Sequence, residues 1–243
     1  MCDICSHKIQ TMKRIFLVLI VLLVFSCEKE ESNLIVTGQV RGLKKGTLYL
    51  ERLKDTTLVV IDSMIINGEP EFVLHAKIDE PEVLHLSLNS NTDETPRVTF
   101  FADKGTININ TSLKRFFHDA KIEGSEQQKL LNAFNINMRK FSDKNLELLK
   151  EEFDFREDSI KVDSIRRVSD NLLKRKYLYV INYALNNKES EIAPYLALSE
   201  VYDANIKYLD TLYNSFPENI AKSKYGIQLA DFIKERKQES TEQ

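Results

Sequence analysis

Two hydrophobic periods divide this chain, and they meet near Gly124. Ahead of it, apolar and polar residues alternate in steps of two, the spacing of a strand with one buried face. Residues 34–40 (LIVTGQV), 47–53 (TLYLERL), 58–66 (LVVIDSMII), 71–78, 83–88, 98–102 and 106–110 read as strands. Turn residues separate them: Gly42 to Gly46, Asn67-Gly68, Asp79-Glu80-Pro81 and Asp103-Lys104-Gly105. Asn67-Gly68 is the pair that accepts positive φ at both central turn positions, so it predicts a tight hairpin joining 58–66 to 71–78. About seven short strands at this spacing predict an antiparallel β-sandwich or open barrel.

Beyond Gly124 the spacing becomes three and four. Ser125 is the expected N-cap of a helix, with Gln128 its capping-box partner. Leu130, Leu131, Phe134, Met138 and Phe141 mark that helix's buried stripe. A second helix over about 158–185 is expected to turn Ile165, Val168, Leu172 and Leu173 inward. Ser190 is expected to cap a third, in which Pro194 sits in the first turn, where its missing N–H costs little. Shorter helices are expected over 207–216 and 224–237, with Pro217 between them and Ser223 capping the last. Strands followed by helices define an α+β chain. Its expected parts are a β domain over 33–123, an α-helical connector region over 124–237 and a polar tail over 238–243.

One apolar run has no period at all. Residues 15–25 (IFLVLIVLLVF) follow Lys13 and Arg14 and end at Ser26. A helix spanning the bilayer needs about 20 apolar residues, so this run is read as a signal-peptide core. Cys27 comes next, and Val24-Phe25-Ser26-Cys27 resembles a bacterial lipobox. The resemblance implies a lipoprotein signal peptide over 1–26, cleavage before Cys27, and acylation of its sulfur and its new amino group. Several acyl chains make a stable anchor where one would be marginal. The tether 27–32 carries Glu28-Lys29-Glu30-Glu31, which resembles the surface-export signal of some Gram-negative lipoproteins. Lipid anchoring at the outer membrane, on its surface or periplasmic face, is the expected location. Met12 is the expected start. Cys2-Asp3-Ile4-Cys5 has Ser6 where haem attachment needs His and lacks the strand-to-helix setting of a redox pair.

Composition narrows the chemistry. Removing the first 26 of 243 residues leaves 217, ample for a core. The net charge is −3; the leader holds Lys8, Lys13 and Arg14 against Asp3, so the remainder stands near −5. Nothing here favours phosphate tracking, and no nucleic-acid partner is expected. Cys27 is the single cysteine after the leader, which leaves no disulfide, thiol nucleophile or Cys-based metal site. No cofactor is expected.

Four groups are candidate sites. A hairpin centred on Glu80 places His75 opposite His85, on the face away from Phe72, Leu74, Ala76, Leu84, Leu86 and Leu88. Two imidazoles at that distance could share a metal, but zinc takes three or four protein ligands and no third is evident, so a surface polar pair is the expectation. Asp62-Ser63 has no histidine placed to activate the serine, so no catalytic residue is assigned. Glu151, Asp154 and Asp158, with Glu152 and Glu157, lack the glycine-centred spacing of a calcium loop. They read as a solvated helix junction facing Arg166-Arg167 or the cluster 174–176. Eight of nine tyrosines fall between Tyr177 and Tyr225. Such a layer packs helices or offers a peptide- or sugar-binding face, because tyrosine is amphipathic.

Ile61-Asp62-Ser63, Asn67-Gly68, Phe72, Pro81, the run Phe-Phe-Ala-Asp-Lys-Gly at 100–105 and Gly124-Ser125 occur in an order that resembles the domain of unknown function family 4369. That module forms the N-terminal β domain of many lipoproteins ending in a thioredoxin-like thiol–disulfide oxidoreductase. Ile192-Ala193-Pro194-Tyr195-Leu196, Leu212-Tyr213 and Ser223-Lys224-Tyr225-Gly226 are similar to the connector before their catalytic domain. Those relatives carry Trp-Cys-x-x-Cys after the last helix; this chain has no Trp and ends in a polar tail. The resemblance therefore implies their non-catalytic half, not an enzyme. The expected role is a lipid-anchored binding or scaffold module, with a thioredoxin-like oxidoreductase as one envelope partner. The alternatives are a peptide- or glycan-binding surface lipoprotein and a truncated remnant of a redox enzyme.

Overall fold

The computed structural model of the protein describes residues 31–89 and 95–239. The expected signal peptide over 1–26, the expected lipidation site Cys27 with most of the expected tether, and the end of the tail lie outside the described residues. From Asn33 onward the chain forms one compact unit.

Eight strands build two four-stranded sheets. They are β1 (Leu34–Arg41), β2 (Lys45–Lys54), β3 (Thr57–Asn67), β4 (Glu71–Ala76), β5 (Glu82–Asn89), β6 (Arg97–Ala102), β7 (Gly105–Ser112) and β8 (Lys121–Glu123). The strand orders are β4-β1-β7-β8 and β3-β2-β5-β6, with no closed barrel. Helices follow, so the fold is α+β as the two periods predict. Alternation also selects the inward face correctly. Phe72, Leu74 and Ala76 of β4 and Leu84, Leu86 and Leu88 of β5 share one core with Leu34, Val36, Leu48, Leu50, Phe100 and Ile107.

Strand pairing departs from expectation in three places. Asn67-Gly68 closes no hairpin, since β3 pairs with β2 and β4 with β1. Gly68 alone takes a positive φ there (114°), so the chain bends into the other sheet instead of reversing within one. The tight hairpin is β2–β3, where Lys54 faces Thr57 and Asp55 holds φ at 55°. Residues 77–81 also change sheets, so β4 and β5 are not neighbours; β5 lies between β2 and β6. Asp103-Lys104 crosses back, and β7 then runs parallel to β1, so the first sheet is mixed rather than antiparallel. Each crossing keeps a strand's apolar face on the shared core while changing its neighbour. Period two reports the face and says nothing of the partner.

The helices are α1 (Glu126–Asp154), α2 (Ser159–Asn186), α3 (Ile192–Glu200), α4 (Ile206–Asn214), α5 (Glu218–Ala221) and α6 (Lys224–Glu239). Ser125 caps α1, its hydroxyl accepting the Gln128 N–H at 2.9 Å. Ser223 caps α6, accepting from Gly226 at 3.3 Å. Ser190 does not cap α3: Glu191 holds the cap position, and the serine hydroxyl donates to Gln127 at 2.6 Å. A second core forms from Phe134, Val180, Ala184, Leu196, Leu209 and Leu229, with Phe101 of β6 inserted among them. Phe100 and Phe101 are adjacent on a strand, so they point to opposite faces and each enters a different core.

The distal halves of α1 and α2 behave differently. Leu148, Val162 and Ile165 are buried, but Val168 and Leu173 are each 47% exposed, not inward as their spacing predicts. Two helices packed mainly on one another bury only a narrow stripe, and residues flanking it stay wet.

Candidate functional site

The histidines do not form a cross-strand pair. His75 lies opposite Ile35 in one sheet, while His85 lies between Glu51 and Thr99 in the other. His85 Nδ1 is 3.0 Å from the Thr99 hydroxyl. Burial lowers its pKa, the Arg97 charge adds to that, and Glu51 opposes it. Among the described residues no group of three His, Cys, Asp or Glu side chains converges to hold a metal. Asp62 accepts the backbone N–H of Ser63 at 2.8 Å and of His75 at 2.7 Å. Its carboxylate thus ties β3 to the edge of β4, which blunts an otherwise open sheet edge.

The acidic residues near the α1–α2 turn have separate duties. Asp158 caps α2 by accepting the Lys161 N–H at 3.1 Å, and Glu152 pairs with Arg166 at 2.9 Å. The basic cluster 174–176 does not face them. Lys176 pairs with Glu200 at 3.3 Å, and Arg175 lines a cleft described below.

The tyrosines pack helices. Tyr179 stacks on Phe134 at 5.5 Å, and the Tyr183 hydroxyl donates to the Leu130 carbonyl at 2.7 Å. Tyr195 and Tyr225 meet Phe101 edge-on at 5.4 and 5.8 Å. Burial pushes both hydroxyls' pKa values up. Tyr177 donates to Asp203 at 2.6 Å, and that bond is the main cause of its pKa rising to about 12.

A polar seam joins helices to sheet. Gln128 does not complete a capping box, because its Oε1 accepts the Phe101 N–H at 2.7 Å. Gln127 Oε1 accepts from the Ser190 hydroxyl and the Ile192 N–H, and its amide donates to Glu191 at 2.7 Å. Burial raises the Glu191 pKa. Asp103 accepts the Glu126 and Gln127 N–H groups at 2.6 and 3.2 Å, capping α1 from the β6–β7 turn. Buried Glu82 sits between Arg52 of β2 and Lys224 of α6, at 2.6 and 2.5 Å. The Tyr225 hydroxyl accepts the Val83 N–H at 2.8 Å. Sequence reasoning reached Gln128 and Tyr225 for different reasons, without their bonds to the sheet, and missed Gln127 and Glu82. Two adjacent glutamines in a first helical turn were the available signal, and it carries no partner information.

Two surface clefts lie on the helices. One, of about 490 Å³, opens between α4 and α6 and is lined by Asp210, Tyr213, Ile233, Lys234 and Lys237; Asp210 and Lys237 pair across it at 2.6 Å. The other, of about 430 Å³, lies between α1 and α2. Asn137, Lys140, Phe141 and Lys144 line one side at helical spacing, and Leu172, Arg175 and Tyr179 the other. Sequence reasoning assigned Phe141 and Leu172 to the core and did not see the cleft, because the cations come from two helices.

The family comparison fits this anatomy. No curated protein matches the chain. Residues 34–131 match the family model described as Domain of unknown function (DUF4369), a span that runs past the last strand to include Ser125, Gln127 and Gln128. The likeness is to this family's model, over the strand region and the start of α1.

Proposed function

We propose that the protein is a non-catalytic binding or scaffold module of the cell envelope, held at the outer membrane by lipid on Cys27. In this reading the two sheets stack as a β-sandwich that carries the helices as one rigid piece. The observation behind it is the seam: Gln128, Glu82 and Tyr225 are buried and bond across between sheet and helices, and buried Gln127 ties α1 to the start of α3. Buried polar groups that are hydrogen-bonded across elements fix a geometry, as a presenting scaffold requires. Affinity capture of the lipidated protein from envelope extracts, with a Cys27→Ala control, tests this. Recovery of an envelope protein such as a thioredoxin-like oxidoreductase, lost in the control, is the expected result. A protein that comes down alone overturns the docking role.

The cleft between α1 and α2 favours a second reading, a ligand-binding surface lipoprotein. A ligand that binds the folded state must raise its melting temperature, so a ligand panel that leaves Tm unmoved refutes it.

A further inference from the structure

The cleft between α1 and α2 has a composition that selects its ligand. On α1 the adjacent Lys140 and Phe141 lie three and four residues after Asn137 and four and three before Lys144, and on α2 Leu172, Arg175 and Tyr179 are three and four apart. That spacing puts each set on a single stripe, and the two stripes face each other across the helix pair. Phe141 and Tyr179 form an aromatic wall with ring centroids 5.8 Å apart. Among the described residues three cations and no carboxylate line the cleft. Lys144 bonds Glu147 one turn away at 2.7 Å, which pushes its pKa up and keeps it charged. Lys140 bonds the neutral Asn137 side chain, at 3.1 Å, and among the described residues no carboxylate. Among the described residues Arg175 has no carboxylate partner, although the chain as a whole is acidic. Three like charges converging on one opening repel each other unless an anion joins them. A guanidinium offers a planar fork for a carboxylate, while the ring wall favours a flat apolar body. The volume falls in the range of small-molecule sites.

We infer that this cleft binds a small organic anion: a carboxylate, held by Arg175 and Lys140, on a flat apolar body that lies against Phe141 and Tyr179. The inference rests on the ligand-binding reading above and gives it a chemical class. The same chemistry is offered by aromatic acids and by sugar acids, whose ring faces also stack on aromatic side chains.

The test is calorimetric titration of the chain from Glu28 on, since residues from Asn33 form a compact unit with cores of their own. The probes are 1-naphthoate, its neutral counterpart 1-naphthamide, acetate, and a linear trimer of galacturonate. Saturable one-to-one binding of naphthoate or the trimer is expected, and which of them binds tighter identifies the source. Where naphthoate binds, the amide is expected to be about tenfold weaker, the loss of one charge-assisted contact, and acetate weaker still. The double variant Lys140→Gln, Arg175→Gln is expected to weaken the anion by about tenfold or more with an unchanged urea midpoint. Absence of saturable binding by both anions, equal binding of naphthoate and naphthamide, or a double variant that binds like the wild type overturns the inference. A double variant that loses the anion yet still captures its envelope partner separates this site from the docking role.

Discussion

The strand region and the helical region bury their apolar residues by different means. In the strands, every inward residue predicted for β4 and β5 reaches the core, while the pairing expected of those strands fails. In the helices the elements and most caps fall where predicted, while Val168 and Leu173 stay exposed on the proper helix. A strand has two faces, so choosing one is a binary matter settled by alternation. A helix surface is continuous, and how much of it is covered depends on how many neighbours arrive. The seam is where the two kinds of burial meet, with Phe100 serving one core and Phe101 the other.

Breaking that meeting point gives the largest effects. Phe101→Ala and Phe100→Ala should each cost about 4 kcal/mol in urea unfolding, the usual loss for a large buried ring. If the regions unfold as one, both variants keep a single transition seen alike by far-UV circular dichroism and tyrosine fluorescence. A helical signal lost first in Phe101→Ala alone would show the regions to be separable. Gly124→Ala should cost about 3 kcal/mol or more, because an added Cβ would lie 2.2 Å from the Thr106 carbonyl oxygen at φ +101°. Chemical denaturation at 25 °C measures it. Gln128→Ala should cost about 2 kcal/mol by leaving the Phe101 N–H without its partner, while Gln128→Glu retains the acceptor and should lose less.

The smallest effect concerns His85 and belongs to the sheet alone. Its pKa is lowered in the folded state, chiefly by burial, so the unfolded chain takes up the proton first as pH falls. The histidine's contribution is fully present above its unfolded pKa of about 6.5 and is lost as pH drops through and below that value. His85→Gln should therefore flatten the fall in stability between about pH 7 and pH 5, read as urea midpoints across that range. An unchanged slope would show that burial does not bear on this imidazole.

Legibility differed between fold and site for the same reason. Ser125 and Ser223 were readable as caps because a cap is a contact between residues three apart. Gln128 was readable as a first-turn residue, but its bond to Phe101 spans 27 positions and its sequence pattern matches a capping box equally well. His75 and His85 were placed on outward faces correctly and opposite each other wrongly, because the chain between them changes sheets. The cleft was invisible, since Lys140 and Arg175 are separated by a whole helical hairpin.

What the sequence by itself determined is therefore local: the two periods, the inward faces of the strands, the start of the first and last long helices, and the likeness of residues 34–131 to the DUF4369 model. Only the tertiary structure decided which strands pair, that β7 runs parallel to β1, how buried Gln128 and Glu82 tie sheet to helices, and that three cations share one cleft. Local patterns are set by backbone geometry over a few residues. Partners across the core are chosen by the packing of the whole chain, which no short window of sequence contains.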